Sequence, residues 1–182
     1  MRVSTAALDA LSKLLVYPTD SLSRDAGDAE ALLARELPEA AAELVPFVSF
    51  AATHELGECE EVYVRTFDVN PQRALEVGWQ VFGEQYARGA FLVRIRELLR
   101  QCGVPESTEL PDHMTHVLRV LPRIDDAQAA TLVESAVAPA LRRILGDLAK
   151  QEDRTYASVL RAVCVTLGVV PDAAPAPQEA KR

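Results

Sequence analysis

Apolar residues recur along this chain at three- and four-residue spacing almost from end to end, and the breaks between runs carry proline, glycine or aspartate. Ser4 or Thr5 can cap a first helix reaching about Val16, with Leu8, Leu11 and Leu15 on one face and Tyr17-Pro18 as its stop. Asp25 or Asp28 opens a second helix through Leu37. A third follows Pro38 and carries Leu44, Phe47, Val48 and Ala51, and Pro46 inside it should kink or split it. Asn70-Pro71 reads as an N-cap followed by proline in a first turn, opening a helix lined by Leu75, Trp79 and Phe82 and ended by Gly83. The next helix runs from about Glu84 to Cys102, with Phe91, Ile95, Leu98, Leu99 and Cys102 inward and Gly103 as its stop. Its arginines, Arg88, Arg94, Arg96 and Arg100, belong mostly to a solvated face.

The densest signal is Glu109-Leu110-Pro111-Asp112-His113-Met114. Pro111 and Asp112 suit a helix first turn, and Met114, Val117, Leu118 and Leu121 then form a buried stripe that Pro122 ends. Further on, Asp125-Asp126 caps a helix through Val137, and Pro139 starts another with Leu141, Ile144, Leu145 and Leu148 inward. Asp153 caps a last one, whose Tyr156, Val159, Leu160, Val163 and Leu167 face the core and which Gly168 closes. Only Glu58 to Asp68, set off by Gly57, is ambiguous. Val62 and Val64 could alternate as a strand, but Cys59, Tyr63 and Phe67 share a helical side, the start is acidic, and a lone strand would have no sheet to join. About nine helices and no convincing strand predict an all-α bundle over residues 1–170. The Ala- and Pro-rich stretch 171–182 has nothing to bury and is expected to be disordered.

Composition narrows the function. At 182 residues, about half of them apolar, the chain can form one domain with a real core. A formal charge of −8 makes nucleic acid a poor partner and suits either solubility or a basic peptide. No apolar run is long enough to span a bilayer, and the N-terminus lacks a signal-peptide pattern, which predicts a cytoplasmic protein with no stable membrane association. Cys59, Cys102 and Cys164 are isolated and odd in number, which points to reduced thiols rather than disulfides or a zinc site.

Catalytic signatures are scarce. Neither phosphate-cradling glycine loops nor HExxH or GxSxG patterns occur. Glu109, Asp112, His113 and His116 form one polar cluster, and His113 and His116, three apart, could share a metal with a carboxylate. A histidine satisfied by its neighbours is the plainer reading, so no metal, cofactor or catalytic residue is assigned. Tyr63, Phe67, Trp79, Phe82 and Tyr86 are either ordinary core aromatics or the wall of a groove for an apolar helix. In the second case Glu60, Glu61, Asp68, Glu76 and Asp112 would receive that helix's basic flanks.

Several stretches, in order, resemble the redox-enzyme maturation chaperones, and among them the nitrate reductase molybdenum cofactor assembly chaperones (NarJ type, related to the TorD and DmsD types). Leu14-Leu15-Val16-Tyr17-Pro18 is similar to the family's LLxYP helix end, and Tyr63 to Asp68 to its YxxxFD signature. Phe82 to Gly89 is similar to its hGxSxxRG turn, with Gln85 where serine is usual. Glu109 to Met114 resembles ELPDHL with Met for Leu, and Arg154 to Ala157 resembles a late SxYA element. The resemblance implies an all-helical chaperone, not an enzyme. Such a protein binds the apo catalytic subunit of a molybdoenzyme, often through its N-terminal segment, and supports cofactor insertion and complex assembly. Respiratory nitrate reductase is the first expected client. Other dimethyl sulfoxide reductase-type enzymes stay open, as does a metal enzyme built on His113 and His116. Under this reading Tyr63, Phe67, Asp68, Trp79, Arg88, Glu109, Asp112 and His113 contact the client peptide, and the chaperone is a monomer or dimer.

Overall fold

The structure, a computed structural model, describes residues 4–151 and 154–171. Ser4 Oγ accepts from the Ala7 N–H and opens α1, Thr5–Lys13, whose Leu8 and Leu11 are buried. Then come α2, Leu22–Glu36, and α3, Pro38–Thr53, with Pro38 in the first turn. Pro46 does not split α3. A missing N–H there is offset by burial of Ala40, Ala41, Leu44, Phe47 and Ala51 along one face. The helix expected to open at Asp25 or Asp28 starts earlier, at Leu22, with Asp25 instead accepting from Ser21 Oγ.

Helix α4, Leu56–Tyr63, resolves the ambiguous stretch as helical. Gly57 lies inside it rather than breaking it, because Glu55 and Glu58 form a reciprocal capping box one residue upstream. A π turn, Val64–Asp68, continues it. Asn70-Pro71 does not start a helix. Asn70 Oδ1 accepts from the Gln72 N–H, closing a local turn, and the Gln80 amide donates to the carbonyls of Gln72 and Ala74, so this segment is wrapped around a side chain. Helix α5 begins only at Val77 and runs to Phe82, where Gly83 takes a positive φ. α6, Tyr86–Gln101, ends before Gly103, also at positive φ.

Helix α7, Met114–Val120, is capped by His113 and passes into a 3-10 turn, Leu121–Arg123. Pro111 and Asp112 therefore precede the helix instead of forming its first turn. α8, Asp126–Leu132, is capped by Asp125, whose carboxylate accepts from the Gln128 N–H. A π turn, Val133–Val137, joins α8 to α9, Ala138–Leu148, so Pro139 interrupts no helix. α10, Thr155–Leu167, closes with Gly168 in the left-handed region. The Asp153 cap and the stretch beyond Pro171 lie outside the described residues.

Counted as continuous rods, nine helices make up the all-α fold among the described residues. Helix α3 is sandwiched between α2 and α10, and α1 lies on α7. A single antiparallel bridge, Glu76 to His113, is the sole β pairing there. The centre is an aromatic cluster. Tyr156 of α10 meets Phe47, Phe67 and Tyr63 at ring-centroid distances of 5.0, 4.9 and 5.7 Å. Cys59 and Cys164 are buried and Cys102 half-buried, and all three are free thiols. Among the described residues no helix is long and apolar enough to cross a membrane.

Candidate functional site

Stretches far apart in sequence converge on one end of the aromatic cluster. The π turn after α4 points Phe67 inward beside Tyr63 and leaves Asp68 exposed at the surface. Tyr63 is itself held: its hydroxyl donates to the Leu15 carbonyl at 3.2 Å, and the Tyr17 ring stands edge-on to it at 5.6 Å. The bridge between Glu76 and His113 then lays two segments side by side, with Val77 N–H donating to Asp112 O and Met114 N–H to Leu75 O. The result is a pocket of about 200 Å³, with Tyr63, Phe67 and Leu75 buried at its base and Asp68, Glu76, Glu109 and His113 also in its wall.

The pocket is strongly acidic. Among the described residues none of Asp68, Glu76 and Glu109 forms an ion pair. Partial burial raises the carboxyl of Glu109, and the neighbouring Glu76 and Asp68 raise it further, against a smaller lowering by His116. Asp68 is raised by partial burial and by Glu76. Burial and these same carboxylates push the Tyr63 phenol up. Three uncompensated carboxylates around an aromatic floor favour a cationic group with an apolar stem, such as an arginine or lysine side chain.

Asp112 lies behind this pocket, not in it. It is 0% exposed, its carboxylate accepts from the Gly78 N–H at 3.0 Å, and it faces the Arg88 guanidinium at 3.6 Å. Arg88 in turn lies over the Trp79 ring, 5.5 Å from its centroid. A Cβ at Gly78 would stand 2.6 Å from Asp112 Oδ2 and 2.9 Å from Phe91, so only glycine permits this approach. Burial raises the Asp112 carboxyl, while Arg88 and the Gly78 N–H act in the opposite direction. Asp112, expected to meet basic residues of a client, is enclosed here: Oδ2 accepts from the Gly78 N–H and faces Arg88, while Oδ1 is buried with no hydrogen-bond partner among the described residues. Arg88, assigned to a solvated face, is half-buried and paired.

Both histidines of the motif are hydrogen-bonded within the chain. His116 Nε2 accepts from the Ser107 N–H at 3.0 Å and its Nδ1 donates to the Leu110 carbonyl at 2.9 Å, so neither nitrogen is left for a metal. His113 Nδ1 engages Thr115, capping α7. Burial, with His116 nearby, lowers its pKa to about 4. His113 is neutral at physiological pH and does not switch near neutrality. No group of three or more His, Cys, Asp or Glu side chains among the described residues could hold a metal ion.

The sequence-named residues thus divide. Tyr63, Phe67, Asp68, Glu109 and His113 come together around the pocket. Trp79, Arg88 and Asp112 form a second cluster joined to it through the 76–113 bridge. Phe82 packs against Phe91 with the rings tilted, and Tyr86 is 95% exposed, so the aromatics form no continuous wall. Sequence reading missed the shallow surface on the other side of α4, where Tyr17 and Val69 stand exposed beside Glu60 and Glu61. Tyr17 had a signal, since it sits in a motif. Val69 had none, because it is an isolated apolar residue at a helix end.

Most of the chain is similar to known proteins. The chain is 28% identical over 163 residues to a protein of Bacillus subtilis (strain 168) described as "Probable nitrate reductase molybdenum cofactor assembly chaperone NarJ". The match covers 87% of this chain and 86% of the relative. The family model described as "Nitrate reductase delta subunit" matches residues 30–161, a span that holds the π turn with Phe67 and Asp68, the Arg88–Asp112 pair, the 76–113 bridge and Tyr156. With those contacts and most of the helical core inside the matched span, the chain belongs to the nitrate reductase delta subunit family.

Proposed function

We propose that this protein is a chaperone, not an enzyme, that binds the apo catalytic subunit of a molybdoenzyme and supports molybdenum cofactor insertion and complex assembly. Nitrate reductase is the client that the relative's description favours. The observation that carries the binding mode is the acidic pocket: Asp68, Glu76 and Glu109, unpaired among the described residues, over Tyr63 and Phe67. A basic side chain from the client's N-terminal segment enters it, while the apolar residues of the same segment lie on Tyr17 and Val69. Asp112, Arg88 and Gly78 hold the pocket's walls in register and do not touch the client. His113 contributes a neutral wall.

Calorimetric titration with the N-terminal peptide of a nitrate reductase catalytic subunit from the same organism tests the reading. Asp68→Asn with Glu109→Gln, both exposed and so harmless to the fold, should weaken binding by about tenfold or more. Unchanged affinity in that double variant moves recognition elsewhere. If neither the peptide nor the full apo subunit binds, the client assignment fails and the family membership alone stands.

A further inference from the structure

A second groove, of about 780 Å³, shares no residue with the acidic pocket. It is bounded by the 3-10 turn after α7, by α8 and the π turn that follows it, and by Thr5 of α1 and Leu167 of α10. Leu121, Ile124, Val133 and Leu167 give it an apolar floor. One stripe of the α8 rod runs along it: Asp126, Ala129, Ala130, Val133 and Glu134, spaced i, i+3, i+4, i+7 and i+8. In a helix of this fold such a stripe normally faces the core. Here Ala130 is exposed and Ala129 and Val133 only half-buried.

The charge along the stripe selects what can cover it. Asp126 and Glu134 stand at its two ends, both exposed, with Asp125 next to Asp126, and among the described residues no lysine or arginine lines the groove. Asp125 is committed in part to the Gln128 N–H. Among the described residues Asp126 and Glu134 have neither an ion-pair nor a hydrogen-bond partner from a side chain. Alanines in the middle admit a close backbone approach, and carboxylates at both ends select cations about two helical turns apart.

We infer that this groove binds an amphipathic helix of a partner protein, apolar on one face and bearing lysine or arginine at both ends of that face. The site is separate from the acidic pocket and stands whether or not that pocket takes the client segment.

The test uses the full-length chain labelled with ¹⁵N and a synthetic amphipathic helix of leucine and lysine. Asp68→Asn with Glu109→Gln serves as background, to silence the acidic pocket. Amide shifts should map to residues 126–134 and Leu167. Ala130→Arg, at an exposed position, should lower affinity about tenfold by adding bulk and like charge in the groove. Gln128→Arg, which adds the same charge on α8 outside the lining, should leave affinity within about twofold. Shifts confined to Tyr63, Phe67 and the pocket rim, equal losses in both arginine variants, or no binding of the probe would each overturn the inference. Loss of pocket binding in the background with groove binding retained separates this outcome from failure of the client reading.

Discussion

At the scale of single residues, the chain uses its most charged motif for internal support. Asp112 has one hydrogen bond to a backbone N–H, one off-line ion pair and no solvent, so it serves mainly as an acceptor. Asparagine keeps an acceptor of the same size. Asp112→Asn should therefore stay within about 1 kcal/mol of wild type in urea unfolding, while Asp112→Ala, which orphans the buried Gly78 N–H, should lose about 1–3 kcal/mol. Gly78→Ala should lose a similar 1–3 kcal/mol or so through overpacking against Asp112 and Phe91. His113 sets a pH dependence. Its folded pKa of about 4 lies below the ordinary value of 6.5, so on acidification the unfolded chain takes up this proton first. Its contribution to stability is present above the ordinary value and is lost progressively as pH falls towards 4, by on the order of 3 kcal/mol in total. The raised carboxyls of Glu109, Asp68 and Asp112 work in the opposite direction at the acid end. Unfolding curves at about pH 7 and about pH 5 should show the loss, and His113→Asn, which keeps a capping acceptor, should reduce it.

At the scale of elements, helix ends decide more than helix interiors. Gln85 occupies the N-cap of α6 with no side-chain hydrogen bond, at the position where the motif usually has serine. Gln85→Ser should accordingly stabilise the protein by about 0.5–1 kcal/mol, read as a higher midpoint in thermal unfolding. The two π turns have different consequences. The first leaves Asp68 at the pocket while Phe67 stays in the core, and the second lies along the open groove beside α8. Periodicity located most helices but not the segment from Asn70 to Glu76. Asparagine followed by proline is as good a turn as it is a helix start, and the Gln80 side chain that chooses between them arrives from later in the chain.

At the scale of the whole molecule, part of the net charge of −8 sits as three neighbouring carboxylates around the pocket. Partial burial, Glu76 and Asp68 raise the Glu109 carboxyl, and partial burial and Glu76 raise that of Asp68, with no ion pair to either among the described residues. Function and stability should therefore trade off at this end of the protein. Asp68→Asn with Glu109→Gln should raise the melting midpoint by about 1–3 °C, the modest size reflecting solvent screening at exposed positions. The same double variant should flatten the salt dependence of peptide binding. Adding salt to wild type should likewise raise its midpoint slightly, because screening relieves the repulsion.

The sequence by itself determined the all-α class and the approximate place of most helices, because burial of apolar stripes at helical spacing is a local pattern. Of the eight residues that the motif resemblance grouped as client contacts, Tyr63, Phe67, Asp68, Glu109 and His113 line one pocket, while Trp79, Arg88 and Asp112 lie outside it. Tertiary structure alone decided which charges face solvent. Asp112, His113 and Glu109 are neighbours in the chain, yet one is enclosed behind Gly78, one caps a helix and one is exposed on the pocket. Thr115, two residues on, fixes His113, but the partners that separate the other two, Gly78 and Arg88 for Asp112 and Asp68 and Glu76 for Glu109, lie tens of residues away. A burial environment is made by whichever segments pack there, and that is a property of the fold.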